Sequence, residues 1–474
     1  MGFISKIITF FLSVHLTVAG WFGLTPQQTL RVNMGEKYQI HEGFGTSSAW
    51  WAQNISDEAL AQKIAALLYN TETGLGLDIF RYNVGAGSKE NPESVIVVED
   101  RKTESFLIKD EESGAFVYDF SRDANARRMM DLAVQNGATK IVLFCNSPHW
   151  SMTENGLASG SMQEGHCNLP RENYRSFVEY LLTIADHFVA EGYPVYGISP
   201  INEPQWNWGT GWISQEGCHY SPEETVAVLE CFALEMQKRN VSYKLLGPES
   251  GQMDDRYIAY EEAFFNSDIL RNYCDTYSGH TYWLDGNAEQ KQATGNRFRS
   301  IYKGLKYETS EWCELPLSID SATMESGMLM ADVIYEDLTM LDAVSWQSWT
   351  AVNGDGLMDL SDTSLQIYKR YPVFRQFSFI PLGAQRIGVI DSLFDRSTFR
   401  TVCYVSGADT VFVIINHSAD EQTVRIKGLY KSCEVYVTSE DKNCQQVCSG
   451  RFSGKFTLEA ESVTTIVLHG HGAK

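Results

Sequence analysis

Strand-like apolar runs alternate with helical patterns along most of the chain. The strand-like runs lie at residues 43–51, 79–84, 140–148, 195–203, 244–248, 276–283, 305–312 and 343–349. Apolar positions at helical spacing lie between most of them, at residues 57–69, 123–135, 171–191, 222–239 and 324–337. Eight short strands, most of them separated by helices, predict a parallel α/β fold, the (β/α)8 TIM barrel. A doubly wound sheet is the alternative, but no glycine-rich phosphate loop opens the first helix.

The pattern changes after residue 375, where short strands follow one another without helices. They lie at residues 401–405, 410–415, 423–426, 433–437, 455–458 and 463–468, which is typical of a β-sandwich. A strand near Thr29 has no place in the barrel, so we predict that residues 21–40 join the sandwich. The barrel is then expected at 41–375, with a fused β-sandwich side domain built from the N-terminal strand and the C-terminal region, 376–474.

The N-terminus has the form of a targeting segment. Lys6 precedes an apolar run at residues 7–18, and Ala19 and Gly20 supply the small residues typical of a cleavage site. This run is short for a membrane span, and no later run is long and apolar enough. We predict that residues 1–20 are a signal peptide and that the mature protein is secreted, without a membrane span.

Charge and cysteine content narrow the possible partners. The formal net charge is −22 and the isoelectric point about 4.9, a field that disfavours nucleic acids and anionic membranes. We predict a monomer with no nucleic-acid partner.

Cys167 and Cys218 lie in similar polar loops. They form a disulfide in one interpretation and a zinc site with His166 and His219 in another, although that spacing matches no standard zinc motif.

Polar and aromatic side chains cluster where the predicted strands end. They are Arg81, Asn83, Asn146, His149, Trp150, Asn202, Glu203, His280, Tyr282, Glu308, Glu311 and Trp349. The C-terminal ends of the strands form the active-site face of a TIM barrel. Each residue alone has an ordinary explanation, as a solvated loop residue or as part of the core. Their joint placement at several strand ends indicates a site.

Two of these residues form a candidate pair of carboxylates across the barrel mouth. Glu203 ends the fourth predicted strand, and Glu311 lies nearer the tip of the seventh than Glu308, which alternation places on the other face. Glycoside hydrolysis uses such a pair, one as proton donor and one as nucleophile or base. The mutual field of the pair raises the pKa of one member, and an arginine such as Arg81 keeps the other ionised.

These segments resemble glycoside hydrolase family 30, a family of retaining (β/α)8 enzymes of clan A. The matching segments are GFGTSSAWW (43–51), FRYNV (80–84), SPHWSM (147–152), PINEP (200–204), ETSEW (308–312) and WQSW (346–349). The β-sandwich fused through the N-terminal strand matches as well.

The resemblance implies a role for most of the candidate residues. Glu203 is expected to be the general acid/base and Glu311 the nucleophile, roughly 5 to 5.5 Å apart, with no metal or other cofactor. Asn202 is expected to bind the sugar 2-hydroxyl, and Arg81 to lie beneath the nucleophile. Asn83 is a further candidate for substrate binding. The residues expected to line the −1 subsite are Trp150, His280, Tyr282 and Trp349.

Within the family, segments 43–51 and 146–148 look most like the endo-β-1,6-galactanase branch, which cuts the β-1,6-galactan side chains of arabinogalactan. SMTE (151–154) departs from the usual pattern, because a lysine often lies there. The alternatives are another activity of the family (β-glucosidase or glucosylceramidase-like, β-xylosidase, β-fucosidase or xylanase) and a non-catalytic carbohydrate-binding protein on the same scaffold. An unrelated barrel enzyme would need a Schiff-base lysine or a metal cluster at the strand ends, and neither is found. Trp206 and Trp208 are either platforms for a leaving-group sugar or packing beneath a loop.

Overall fold

The structure is a computed structural model that describes residues 28–361, 364–391 and 398–470. The predicted signal peptide therefore lies outside the described residues. The chain divides into two compact units. One unit is Tyr38–Gln385, and the other combines the chain up to Lys37 with the chain from Arg386 onward. The boundary predicted at 376 falls inside the helix Arg370–Ser378.

The first unit contains the predicted barrel. Its strands, numbered here by their order around the barrel, are Gly43–Ser47 (first), Ile79–Asn83 (second), Lys140–Phe144 (third), Val195–Ser199 (fourth), Lys244–Leu245 with Pro248–Ser250 (fifth), Thr276–His280 (sixth), Lys306–Trp312 (seventh) and Ser345–Thr350 (eighth). Every neighbouring pair is parallel, and the eighth strand pairs with the first. The order of the sheet begins at Lys244–Leu245 and ends at Pro248–Ser250. Because these are consecutive pieces of one interrupted strand, the barrel closes at that point.

Helices lie between most of the strands, as the apolar spacing predicts. The α-helices of the described part of the chain are Glu58–Tyr69, Ala124–Asn136, Tyr174–Ala190, Pro222–Arg239, Ile258–Asn266, Asp268–Tyr273, Ala288–Ser300, Met324–Met340 and Arg370–Ser378. Short 3₁₀ turns are Ala52–Asn54, Glu99–Arg101, Trp150–Met152, Arg171–Asn173 and Asp255–Tyr257. None of the helices among the described residues is long and apolar enough to cross a membrane.

The helix after the fourth strand illustrates how local sequence sets these boundaries. Ser221 accepts a hydrogen bond from the Glu224 N–H, and the Glu224 carboxylate accepts one from the Ser221 N–H. This capping box and Pro222 in the first turn fix the start of the helix. Asn240 ends the helix in the left-handed region at φ 52°, a conformation that asparagine tolerates better than most residues. The loop that follows Glu203 therefore ends at a helix whose first residue is fixed by these contacts.

The insertion after the second strand contains the hairpin Leu107–Lys109 with Phe116–Tyr118. An apolar run at residues 94–98 precedes the hairpin but forms no strand with the described residues. Val97 in this run is 66% exposed, and its N–H donates to the carbonyl of Ile213. The run has no neighbouring strand to complete a ladder, so its apolar composition alone does not make it a strand. A second hairpin, Met358–Ser361 with Ser364–Ile367, follows the eighth barrel strand.

The second unit is the predicted β-sandwich. The strands of its hydrogen-bonded sheet, as far as the chain is described, are Gln28–Ile40, Gln385–Asp391, Phe399–Ser406, Asp409–Asn416, Gln422–Lys427, Ser432–Thr438, Gln445–Arg451, Lys455–Leu458 and Ser462–His469. The N-terminal strand pairs in parallel with Gln422–Lys427, with Leu30 opposite Ile426. Leu30 also joins Phe412 and Leu458 in a buried apolar cluster. The prediction that both ends of the described chain build this domain is confirmed.

Candidate active site

Glu203 lies just beyond the fourth barrel strand, on a backbone held from two sides. Its φ is 44°, a left-handed conformation that is uncommon for a residue with a side chain. Its N–H donates to the Glu249 carbonyl at 2.8 Å, and its carbonyl accepts the indole N–H of Trp208 at 3.0 Å. The side chain is largely buried, with 11% of its surface exposed. The direction of the carboxylate is therefore set by the fold.

Glu311 lies near the end of the seventh strand, and two donors bind its carboxylate. Arg81 donates from Nη1 to Oε2 at 2.5 Å, and the Tyr282 hydroxyl donates to Oε1 at 2.6 Å. Arg81 is completely buried on the second strand, with its guanidinium 3.8 Å from the centre of the Phe144 ring. Tyr282 lies in the loop after the sixth strand. Arg81, Tyr282 and Glu311 thus meet, although they come from the second strand, the loop after the sixth strand and the seventh strand.

His280, the last residue of the sixth strand, lies between the two carboxylates. Its Nδ1 is 3.4 Å from Oε1 of Glu203 and 3.5 Å from Oε1 of Glu311, while its Nε2 is 3.2 Å from Oε2 of Glu249. Burial lowers the pKa of His280, but the three carboxylates outweigh it and raise that pKa to about 9. His280 is therefore an imidazolium at neutral pH.

Glu249 on the fifth strand is the residue of this site that the sequence prediction missed. Its carboxylate accepts hydrogen bonds from Ser199 and Ser310 and lies 3.8 Å from Nη2 of Arg81. Burial opposes ionisation, but Arg81, His280 and Ser310 together lower the pKa of Glu249 to about 2. Glu249 is thus ionised at neutral pH, and its carboxylate lies beside both cations of the site, Arg81 and His280.

The two candidate catalytic carboxylates are close together. One oxygen of Glu203, one oxygen of Glu311 and one ring nitrogen of His280 all lie within 4.8 Å of one another. Carboxyl pairs that act by nucleophilic attack lie roughly 5 to 5.5 Å apart, and pairs that leave room for a water lie about 6.5 Å or more apart. The same three residue types also occur in metal sites. A metal at this position would have to displace the proton of His280, because a protonated imidazole has no free nitrogen lone pair.

Comparison with known proteins agrees with this geometry. The family model described as O-Glycosyl hydrolase family 30 matches residues 27–362. The chain belongs to glycoside hydrolase family 30.

Named relatives and solved structures also resemble this chain. An endo-β-1,6-galactanase from Hypocrea rufa is 28% identical over 349 residues, which cover 69% of this chain and 68% of that protein. A conserved exported protein from Bacteroides fragilis has a TM-score of 0.84 at 25% identity, covering 93% of this chain and 100% of its own. A family 30 endoxylanase from Clostridium papyrosolvens C71 shares the fold, with a TM-score of 0.70 at 21% identity and coverage of 93% and 100%.

Burial sets the protonation behaviour of Glu311 in this family 30 enzyme. Removal from water raises the pKa of Glu311 above its ordinary value, and the neighbouring charge of Glu203 adds to the rise. His280 and Arg81 oppose it, because both place positive charge beside the carboxylate. The two cations therefore limit a rise that burial alone would make larger.

Glu308 is held apart from this group. Ser278 and Ser345, from the strands on either side, donate to its carboxylate. Burial raises the pKa of Glu308 to about 7. The pairing register shifts between Thr309 and Trp312, so the strict alternation used to separate Glu308 from Glu311 is interrupted there. The preference for Glu311 instead agrees with its contacts to Arg81 and Tyr282.

An apolar wall borders the Glu311 side of the candidate site. Tyr282 and Trp349 belong to one buried cluster with Trp50 and Phe144. The Trp50 and Trp349 rings meet edge to face, with centroids 5.2 Å apart. Trp349 therefore lies where the sequence placed it, whereas Trp50 was not among the predicted site residues, although it belongs to the segment 43–51.

Three asparagine amides add hydrogen-bonding groups near the strand ends. Asn202, Asn83 and Asn146 are all buried, and Asn146 donates to Asn83 at 3.2 Å. Among the described residues, no partner is found for Asn202 Oδ1, Asn83 Nδ2 or Asn146 Oδ1. Buried polar atoms are rarely left unpaired in folded proteins. These atoms are therefore available to the hydroxyl groups of a sugar.

Trp150 and His149 contact the insertion hairpin and neighbouring loop residues. Trp150 meets Phe116 of the insertion hairpin at 5.6 Å between ring centroids, and its N–H donates to the Ala86 carbonyl. His149 is buried with Nδ1 bound to the Ser151 hydroxyl, and burial lowers its pKa to about 4. The described contacts do not bring Trp150 onto Glu203 or Glu311, so its place in the −1 subsite stays a prediction.

The zinc interpretation of the two polar loops is not supported by the structure. His166 binds the Glu154 carboxylate and His219 binds the Trp206 carbonyl. Cys167 and Cys218 are buried free thiols that interact with each other. The two histidines thus have other partners, and the disulfide stays a prediction.

Proposed function

We propose that this glycoside hydrolase is a secreted, retaining endo-β-1,6-galactanase that cuts the β-1,6-galactan side chains of arabinogalactan. The carboxylate pair supports the retaining mechanism, because oxygens of the two side chains lie within 4.8 Å of each other. Of the two carboxylates, Glu311 is the one that Arg81 and Tyr282 bind. The named activity of the Hypocrea rufa relative supports the choice of β-1,6-galactan. The predicted signal peptide supports secretion.

In the first step, Glu311 attacks the anomeric carbon while Glu203 gives its proton to the glycosidic oxygen. The carbon–oxygen bond breaks, the leaving sugar departs with that proton, and an ester forms between the glycosyl group and Glu311. Arg81 and Tyr282 keep the attacking carboxylate in one orientation. Because Arg81 contacts Glu311, its positive charge favours the ionised form of Glu311 that the attack requires.

In the second step, Glu203 acts as a base. Its carboxylate takes a proton from water as the water oxygen bonds to the anomeric carbon, and the ester to Glu311 breaks. Glu311 returns as a carboxylate and Glu203 as an acid. His280 lies 3.4 Å from Glu203 and 3.5 Å from Glu311, so it can interact with whichever of the two carboxylates carries the negative charge.

A substrate panel tests this function. β-1,6-galactan, glucuronoxylan, β-1,6-glucan and aryl glycosides are each incubated with the enzyme, and products are sized. We expect β-1,6-galactan to yield a ladder of oligosaccharides early in the reaction. Release of only the shortest products would contradict endo action, and hydrolysis confined to xylan or glucan would contradict the galactan assignment.

Two further measurements test the mechanism and the location. Proton NMR of the first product should detect the β-anomer before mutarotation, whereas an α-anomer would contradict retention. N-terminal sequencing of the protein exported by its source cells should begin beyond residue 20. Retention of the protein inside the cell with Met1 intact would contradict secretion.

A further inference from the structure

A cavity of about 400 Å³ opens beside Glu203, in the first unit of the chain. Four tryptophans line it: Trp206, Trp208, Trp212 and Trp283. Glu203 lines the cavity, whereas Glu311 does not belong to the lining among the described residues. The cavity is therefore continuous with one side of the carboxylate pair only.

Two of these indole rings present much of their surface to solvent. Trp212 is 75% exposed and Trp283 is 42% exposed. Trp283 meets Trp206 edge to face at 5.5 Å, and Trp206 meets Tyr257 at 5.6 Å on its other side. No ring contact or hydrogen bond of the Trp212 side chain is found in the described part of the chain. Exposed aromatic rings grouped at a cavity mark a surface that binds something.

The loop that carries these residues is held in place. Trp208 donates to the carbonyl of Glu203, and its ring lies so close to Gly217 that a Cβ there would be 2.3 Å from it. The Gly217 N–H donates to the Ala158 carbonyl, and the Ile213 carbonyl accepts from Val97. Trp208 therefore serves mainly as packing, while Trp212 is presented on a loop fixed at both sides.

The chemistry of the reaction identifies what this cavity receives. A general acid protonates the oxygen that departs, so the leaving sugar lies on the side of the acid, while the nucleophile approaches the anomeric carbon from the opposite face. In galactose the axial 4-hydroxyl leaves one face of the ring with C–H groups only, and such a face stacks on an indole. We propose that Trp206, Trp283 and Trp212 form the subsite for the leaving-group sugar, with Trp212 as its outer platform. The inference rests on the proposed function for the role of Glu203 as acid.

Replacement of the exposed ring tests the subsite. Trp212→Ala is compared with the wild type on β-1,6-galactan and on a β-glycosyl fluoride with the same glycone, whose leaving group has no ring to stack. We expect kcat/KM on the polysaccharide to fall about 10-fold, mostly through KM, with no change on the fluoride. Leu429→Ala, which removes a 65% exposed apolar side chain from the other unit, is the matched control and should change neither.

Two outcomes would overturn the subsite. They are an unchanged kcat/KM of Trp212→Ala on the polysaccharide, and an equal loss on the polysaccharide and the fluoride. Failure of the proposed function is recognised separately, because the wild type itself would then leave β-1,6-galactan intact. In that case the same pair of measurements is made with the polysaccharide that the wild type cleaves, so the subsite is judged on its own result.

Discussion

The residues around Glu311 and the residues around Glu203 differ in chemical type and in exposure. Around Glu311 lie fully buried charged side chains, since Arg81 and His280 each contact both Glu249 and Glu311. Around Glu203 the structure opens into an aromatic cavity in which Trp212 is 75% exposed. The Glu311 side holds charged groups in fixed positions, and the Glu203 side presents exposed aromatic surface for binding.

The difference follows from what each side has to do. In every turnover, positive charge develops at the anomeric carbon while the nucleophile loses negative charge, and fixed polar groups stabilise this change most when they need not reorganise. The leaving sugar enters and departs in each cycle, so its side must be open and must bind through area. The predictions below test this contrast, from the largest expected effect to the smallest.

Removal of either catalytic carboxylate should separate the two sides most clearly. Glu311→Gln should lower kcat by on the order of 10⁴-fold or more with every leaving group, because no nucleophile remains. Glu203→Gln should lose about 10² to 10⁴-fold in kcat/KM on galactan but little in kcat/KM on a dinitrophenyl glycoside, because that leaving group needs no proton in the first step. Steady-state kinetics of both variants measure this. Near-normal turnover by Glu311→Gln on any substrate would refute its role.

Glu249→Gln should show how far the positions of Arg81 and His280 depend on the negative charge of Glu249. Loss of that charge frees Arg81 and His280 to move, and we expect kcat to fall about 10²-fold with KM little changed. The pKa of His280 should fall as well, because one of the anions that raise it is gone. Glu308→Gln, another buried barrel glutamate, is the matched control and should leave the pH profile in place. Similar profiles for the two variants would contradict a positioning role for Glu249.

The pH dependence of the wild type should have an alkaline limit set by His280. Its folded pKa of about 9 lies above the ordinary value of 6.5. The cation therefore stabilises the folded site fully below about pH 6.5, and this contribution is lost as the pH rises through 9. We expect kcat/KM to decline with a midpoint near pH 9, measured on a substrate stable to alkali. A midpoint unchanged in Glu249→Gln would argue against His280 as the titrating group.

The smallest effect concerns stability and lies away from the pair. Glu308 has a pKa of about 7 because burial penalises its charged form. The folded protein then holds a proton that the unfolded chain has lost, so stability falls as the pH rises from about 4.5 to 7. Glu308→Gln should be more stable than the wild type at pH 8, by on the order of 1 kcal/mol, and should have no such advantage at pH 4. Thermal unfolding at the two pH values measures it; an equal difference at both would contradict the shifted pKa.

Much of the site could be predicted because polar residues end apolar strands. Arg81, Glu203, His280 and Glu311 each follow a run whose pattern identifies a barrel strand, and all four meet in the structure. Glu249 was missed because Gly247 and Pro248 interrupt the fifth strand, and the predicted strand stopped at the proline. No spacing rule carries a strand across such a break.

Aromatic residues were harder to assign, because a tryptophan has the same sequence signature in a core, a cleft or a loop. Trp349 lies beside Tyr282, Trp150 contacts the insertion hairpin, and the place of both in the −1 subsite stays a prediction. Trp206 and Trp208 were left open between platform and packing. Their contacts separate them, since Trp208 is bound to the backbone of Glu203 and Trp206 lies between Tyr257 and Trp283.

The sequence by itself determined the barrel, the sandwich and the choice of the two candidate carboxylates, because periodicity and residue type are local properties. Tertiary structure alone decided which charges touch. It brought Glu249 to both Arg81 and His280, set the separation of Glu203 and Glu311 within 4.8 Å, and grouped the exposed tryptophans on the acid side. Distances between residues far apart in the chain depend on how strands and loops pack together, and electrostatic interactions depend on those distances and on burial.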